Sequence, residues 1–341
     1  EDMSLIKEIG ANGIRLAHYP HSDEFYTLCD REGMLVWAEI PLVGKALDTP
    51  EFTENMKTEL TELIRQNFNH PSIFCWSLCN ELSKGDVKGL ISELNDVSHR
   101  EDPGRLTVLA ANVEKRPENA VPDIMAFNTY PGWYWAEPSE MKSTLERWNR
   151  QCGNKGIAVS EYGAGANVWH HWQTGKKTPK VDGVFHPEEW QATVHEQTYD
   201  AIKRSGFAWG SFVWNMFDFA SASRNEGDMP GMNDKGLVSY DRKIRKDAFY
   251  FYQSEWSEEP VVHIASRRDV ARRDSLTDVK VYTNCETVRL KVNGKDCGSP
   301  ERNGSICIWR KVGLKHGENQ VEAFGQRGGQ EFSDCCKWVL F

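Results

Sequence analysis

The chain has 341 residues, about right for one large domain and one small one, and its 39% hydrophobic content can build a real core. A net charge of −9 argues against nucleic acid or an anionic membrane as a partner, and no run approaches the roughly 18 apolar residues of a membrane span. Nine cysteines, an odd number without regular spacing, argue against a fully paired disulfide framework; Cys29 and Cys75 lie in apolar patterns and read as buried thiols.

The chain opens inside a helical pattern (Met3, Leu5, Ile6, Ile9), which suggests a piece of a longer protein. Residues 12–20, NGIRLAHYP, read as a strand, and DEFYTLCDREG as a helix stopped by Gly33. Residues 34–41 form the next strand. A helix follows with Phe52, Met56, Leu60, Leu63 and Ile64 on one face, stopped by Asn69 and Pro71. The apolar run beginning at Ser72 is a strand that ends abruptly in Asn80-Glu81. Further strands are expected at 105–111, 123–130, 155–163 and 207–219, each separated from the next by a helical or loop segment. Seven such strands in about 220 residues favour an α/β fold of the TIM (β/α)8 type lacking its first strand, which would precede Glu1.

After Trp256 the texture alternates apolar and polar, and Asn293-Gly294 is a two-residue hairpin signal. The expected division is a barrel over 1–257 and a small antiparallel β-sandwich over 258–341, with the boundary near SEWSEEP.

In a parallel barrel the chemistry sits at the C-terminal ends of strands. Those ends supply Arg15 and His18, Glu39, Asn80 and Glu81, Asn128 and Tyr130, Glu161 and Trp214. Two carboxylates in one mouth, Glu81 and Glu161, suit glycoside hydrolysis, in which one protonates the leaving oxygen and the other attacks or activates water. The same pair would also serve proton abstraction or metal binding. Trp133, Tyr134, Trp135, Trp169, Trp172 and Trp214 are candidates to wall a sugar, whereas Trp37, Trp76 and Trp209 read as core. A Glu at a strand end is also an ordinary salt-bridge partner, and a lone His18 an ordinary hydrogen-bonded histidine. His170-His171 lacks the spacing of a metal site, and GAGAN lacks that of a phosphate loop. SRRDVARRD and EKRPEN read as solvated surface.

At these residues the chain resembles glycoside hydrolase family 2, the group of β-galactosidases, β-glucuronidases and β-mannosidases. GIRLAHYPHSDEFYTLCDREGMLVWAEIP is similar to the family's first signature and NHPSIFCWSLCNE to its acid/base signature. AVSEYGAGA stands where the family places its nucleophile, and GSFVWNMFDFAS is similar to its eighth barrel strand. The resemblance implies a retaining exo-β-glycosidase that forms a covalent glycosyl-enzyme and requires no cofactor. Glu81 would be the acid/base and Glu161 the nucleophile. Asn80 would contact the sugar 2-hydroxyl, Tyr130 would sit beside the nucleophile, and His18 and Trp214 would line the sugar subsite. Arg15 and Asn128 would bind substrate or prop the nucleophile.

The motif Asn233-x-Lys235 stands where β-glucuronidases grip the sugar carboxylate; as a bland alternative, Lys235 would be a rim ion pair. NDKGLV, FDFASASRNEGD and FHPEEWQA are similar to bacterial β-galactosidase-type members, so the resemblance orders a β-galactoside first and a β-glucuronide second. Family members carry a jelly-roll and an immunoglobulin-like domain before the barrel, and immunoglobulin-like domains after it. A carbohydrate substrate is implied, with room for a homo-oligomer and a lean toward a bacterial periplasm or secretion. The readings from other classes are a non-catalytic carbohydrate-binding fragment and a structural piece whose partner supplies the missing strand.

Overall fold

The computed structural model describes residues 1–82, 87–113, 116–153, 156–173 and 178–341. Helices and strands alternate as α1 (Asp2–Glu8), β1 (Gly13–Leu16), α2 (Asp23–Glu32), β2 (Leu35–Glu39), α3 (Pro50–Asn67), β3 (Ile73–Asn80), α4 (Lys88–Glu101), β4 (Leu106–Ala111), β5 (Ile124–Asn128), α5 (Met141–Gln151), β6 (Ile157–Tyr162), α6 (Glu188–Arg204) and β7 (Ala208–Val213). The seven strands pair in sequence order, all parallel.

Local chemistry sets the element ends. Gly33 closes α2 with φ 69°, a left-handed turn that costs glycine little. Thr49 caps α3 by accepting from the Phe52 amide at 3.2 Å, with Pro50 at the first helical position.

Strand alternation divides the core in two. Trp37, Cys75, Val108, Ala110, Ala126 and Ala158 form one cluster that fills the barrel. Val36, Ala38, Trp76 and Leu78 belong instead to the larger core, together with helix residues such as Leu60, Ile64 and Ile91.

The result is a nearly closed, TIM-like barrel of seven strands. β1 and β7 each have one paired neighbour, and a cleft of about 1060 Å³ opens beside them, lined by Gly13, Ile14, Trp209 and Phe212. Trp209, expected in the core, is 36% exposed because it faces this cleft.

The last barrel strand stops at Val213 instead of running to residue 219. Beyond Trp214 the backbone turns to bond a second segment, with Asn215 N donating to Lys235 O and Val238 N to Met216 O. Phe219–Ala220 (β8) then pairs antiparallel with Met232–Asn233 (β9). Phe219 of this hairpin packs edge-on against Trp214, and the hairpin leads into Asn233 and Lys235.

Helix α7 (Asp247–Trp256) is followed by β10 (Val262–Ile264), β11 (Ala271–Arg272), β12 (Leu276–Thr283), β13 (Thr287–Val292), β14 (Lys295–Asp296), β15 (Glu301–Asn303), β16 (Ile306–Gly313), β17 (Gly317–Arg327) and β18 (Gln330–Leu340). They make sheets β10-β12-β16-β15 and β11-β18-β17-β13-β14. Ile264, Val281, Leu290, Trp309, Val321 and Trp338 share their core. The β13–β14 turn is Asn293-Gly294, both with positive φ as a tight hairpin requires.

SRRDVARRD is only partly a solvated face: Val270, Ala271, Arg273 and Asp274 are exposed, but three of its four arginines are held by the fold. Arg268 pairs with the buried Glu188, Arg267 donates to Asp334 at 2.9 Å, and the buried Arg272 lies 3.7 Å from the Trp338 ring centroid. In EKRPEN, Glu114 and Lys115 lie outside the described residues, and Glu118 is buried against Arg116. The cysteines are free, with Cys29 and Cys75 buried. No described helix is long and apolar enough to cross a membrane.

Candidate active site

The polar ends of β1, β2, β3, β5 and β6 converge on one mouth. Arg15, almost the last residue of β1, is the hub. Its Nε and Nη2 donate to Glu39 at 3.0 and 2.9 Å, and its Nη2 also donates to Asn80 Oδ1 at 2.9 Å. Its Nη1 donates to Glu161 Oε1 at 2.6 Å and to Ser160 O at 3.2 Å.

Glu39 is wholly buried at the end of β2 and also accepts from Trp37 Nε1 at 3.1 Å. His18 Nδ1 lies 2.8 Å from Glu39 Oε1, a geometry that fits a donated N–H. Burial alone would push the Glu39 carboxyl up, but the Arg15 charge and the His18 and Arg15 hydrogen bonds outweigh it and hold it below the usual carboxylate range. The same two carboxylates push the Arg15 guanidinium up against its own burial. Each donor of this floor has its acceptor, so the floor is electrostatically closed.

Glu161, on β6, has both oxygens engaged: Arg15 holds Oε1, and the buried Tyr130 hydroxyl donates to Oε2 at 2.5 Å. Burial and the Glu161 charge push the Tyr130 phenol well up, which keeps it a donor. His18 Nε2 lies 3.8 Å from Glu161 Oε1, and the His18 ring stacks on Trp214 with centroids 5.0 Å apart.

Glu81 is held differently. It follows β3 with φ 53°, an unusual conformation for a residue with a Cβ, and its amide donates to Ala110 O at 2.8 Å. Its carboxylate takes a neutral donor, Asn128 Nδ2 at 2.8 Å. Asn128 also donates to Asn80 Oδ1 at 3.0 Å and accepts from Ser160 Oγ at 2.6 Å, so its amide is fixed from three sides. Burial first, and the Glu161 charge second, push the Glu81 carboxyl up. One mouth therefore holds two carboxyls with different partners, Glu161 on a guanidinium and a phenol and Glu81 on a neutral amide.

Asn233 and Lys235 lie apart from this network. Lys235 is 1% exposed; its ammonium donates to Glu226 Oε2 at 2.9 Å and sits 5.4 and 5.0 Å from the ring centroids of Trp133 and Tyr134. Tyr134 packs edge-on against Tyr130 at 5.2 Å, which joins this corner to Glu161 through two rings. Asn233 is buried; its Oδ1 accepts from Lys235 N at 3.1 Å, while its Nδ2 has no partner among the described residues. Trp133 Nε1, on the ring near Lys235, is likewise buried and unpaired among the described residues.

Of the candidate sugar walls, Trp214 stacks in the mouth, Trp133 is buried under Lys235, and Tyr134 and Trp135 are exposed. Trp172 packs on Trp190 at 6.0 Å, and Trp169 is 71% exposed. His170 and His171 face different acids, Asp228 at 3.4 Å and Glu189 at 2.9 Å.

The anchoring of Arg15 and His18 by Glu39 escaped the sequence reading, although Glu39 stood at a strand end like the others. So did Ser160 and Glu226. Ser160 alternates with the apolar residues of β6, a weak signal; Glu226 lies in a turn and gives none.

The model for glycosyl hydrolases family 2, TIM barrel domain, matches residues 1–258, and a domain of unknown function matches 274–333. A Bacteroides fragilis β-glucuronidase is 43% identical over 332 residues, covering 94% of this chain and 48% of that protein. Human β-glucuronidase is 28% identical over 277 residues, 75% of this chain and 40% of that protein. The chain thus spans about half the length, or less, of these curated relatives. Among solved structures, the FMN-binding β-glucuronidase of Faecalibacterium prausnitzii superposes with a TM-score of 0.93 at 36% identity, over 100% of this chain and 52% of that one. A Bacteroides fragilis protein provisionally named a β-galactosidase gives 0.94 at 35% identity, over 99% of this chain and 51% of that one. With the family match running through the whole barrel, the chain belongs to glycosyl hydrolases family 2.

Proposed function

We propose that the site hydrolyses terminal β-D-glucuronides with retention of configuration. Glu161 attacks the anomeric carbon while Glu81 gives its proton to the departing glycosidic oxygen, leaving a glycosyl ester on Glu161. Esterification removes the Glu161 charge that helps hold the Glu81 proton, so Glu81 then serves as base toward water, whose oxygen attacks the same carbon and releases Glu161. Arg15 and Tyr130 orient the nucleophile, Asn128 orients Glu81, and His18 with Trp214 borders the sugar.

One observation carries the choice of sugar. A buried lysine and, two residues before it, a buried amide donor with no partner among the described residues offer chemistry suited to a carboxylate. The relatives named β-glucuronidase support the same choice. The β-galactoside, placed first on sequence, has its support in the provisionally named neighbour.

Steady-state hydrolysis of p-nitrophenyl β-D-glucuronide and β-D-galactoside by the intact protein tests this. A kcat/KM for the glucuronide at least tenfold above that for the galactoside is expected. The reverse order would reject the glucuronide, and binding of either sugar without turnover would favour a carbohydrate-binding role.

A further inference from the structure

Lys235 is not empty-handed. Its ammonium already holds a carboxylate of the same chain, that of Glu226. The two partners differ in how they are held. Lys235 is enclosed by Trp133, Tyr134 and the backbone beyond β9. Glu226 lies on the turn 221–231 between β8 and β9, where Asn225, Asp228, Met229 and Pro230 are exposed. It also has a second cation: Arg224 Nη1, on the same turn, donates to Glu226 Oε1 at 2.7 Å and to Tyr134 OH at 2.9 Å. The Tyr134 hydroxyl lies 3.3 Å from the same carboxylate oxygen.

Glu226 can therefore release Lys235 and keep Arg224. Asn233 Nδ2, two residues before Lys235, is unpaired among the described residues, a buried donor for an incoming carboxylate to satisfy along with the ammonium. The exchange of one carboxylate for another keeps the buried lysine paired and adds a hydrogen bond, whereas a neutral sugar offers no charge with which to displace Glu226.

We propose that Glu226 is an internal competitor for the sugar carboxylate: it occupies Lys235 in the free protein, yields it to an acidic sugar, and sets the margin by which acidic sugars are preferred over neutral ones. This rests on the reading of Lys235 as the carboxylate site.

The test is the kinetics of E226Q and R224Q in the intact protein with p-nitrophenyl β-D-glucuronide and β-D-galactoside. Glu226→Gln should lower KM for the glucuronide roughly tenfold, the effect carried by KM and confined to the acidic sugar. Arg224→Gln, which leaves Glu226 with Lys235 as its one cation, should raise the same KM several-fold, and R224Q is the decisive variant if E226Q does not fold. A rise in KM for both sugars in E226Q would mean that Glu226 only braces Lys235 and would overturn the proposal, as would no change. A wild type without glucuronide turnover would reject the choice of sugar instead. The competitor then stands if E226Q acquires glucuronide turnover and falls if it does not.

Discussion

The floor of the mouth and its Lys235 corner are built from the same kinds of groups and differ in one respect. On the floor, Arg15, His18 and Trp37 all find acceptors on Glu39 and its neighbours. At the corner, Asn233 Nδ2 and Trp133 Nε1 are buried donors without a partner among the described residues, and the lysine shares its carboxylate with an arginine. A saturated network gains nothing by binding and serves to fix geometry; an unsaturated one gains by binding and serves to choose a ligand. Glu81 stands between the two, half-buried and, among the described residues, supplied with a neutral donor, Asn128.

The largest effect should come from removing the proposed acid, Glu81. Glu81→Gln should lower kcat/KM, which reports the glycosylation step, by about 10²–10⁴-fold for phenyl glycosides, whose leaving group needs a proton, and far less for glycosyl fluorides, whose leaving group does not. An equal loss with both would deny Glu81 the acid role.

Breaking the saturated side comes next. Glu39→Gln removes the carboxylate shared by Arg15 and His18 and should destabilise the fold by about 3–5 kcal/mol in urea unfolding. Because the Glu39 carboxyl is held below its ordinary value, its contribution is complete above the unfolded carboxylate pKa of about 4.3 and is lost as pH falls through the folded value. The gap between wild type and E39Q should therefore close on acidification; a gap that widened would contradict the assignment.

The corner predicts a smaller change in binding. Lys235→Gln should raise KM for the glucuronide roughly 10- to 150-fold, the worth of a charged hydrogen bond, and leave selectivity for a neutral sugar higher than in wild type. Equal loss on both sugars would make Lys235 a rim ion pair.

The smallest effect is a gain. The Glu81 carboxyl is pushed up in the fold, so that stability is lost as pH rises through its folded value. E81Q should then be more stable than wild type at neutral pH, by on the order of 1 kcal/mol, while being the slower enzyme. Thermal unfolding at pH 7 checks it; a lower Tm would show that Glu81 is not strained by its site.

The strands and the polar ends that meet in one mouth were legible because both follow from local pattern: apolar runs of strand length, several closing on a polar residue such as Arg15, Asn80, Asn128 or Glu161. What stayed hidden depends on partners far along the chain. Arg268 reads as a surface charge until Glu188, 80 residues away, receives it. The apolar run through Met216 and Phe217 reads as more strand until the segment after Lys235 is seen to take its backbone bonds. Glu226, in a polar turn, carries no periodicity at all. The sugar ranking turned on the same point: Asn233-x-Lys235 was visible, but its burial and unpaired amide belong to the folded chain.

The most direct test of the account is covalent trapping with 2-deoxy-2-fluoro-β-D-glucuronyl fluoride, with the galactosyl analogue in parallel, followed by peptide mapping of the intact protein. The account predicts a stable adduct on Glu161 from the glucuronyl reagent. An adduct on another residue, or labelling by the galactosyl reagent alone, would contradict it.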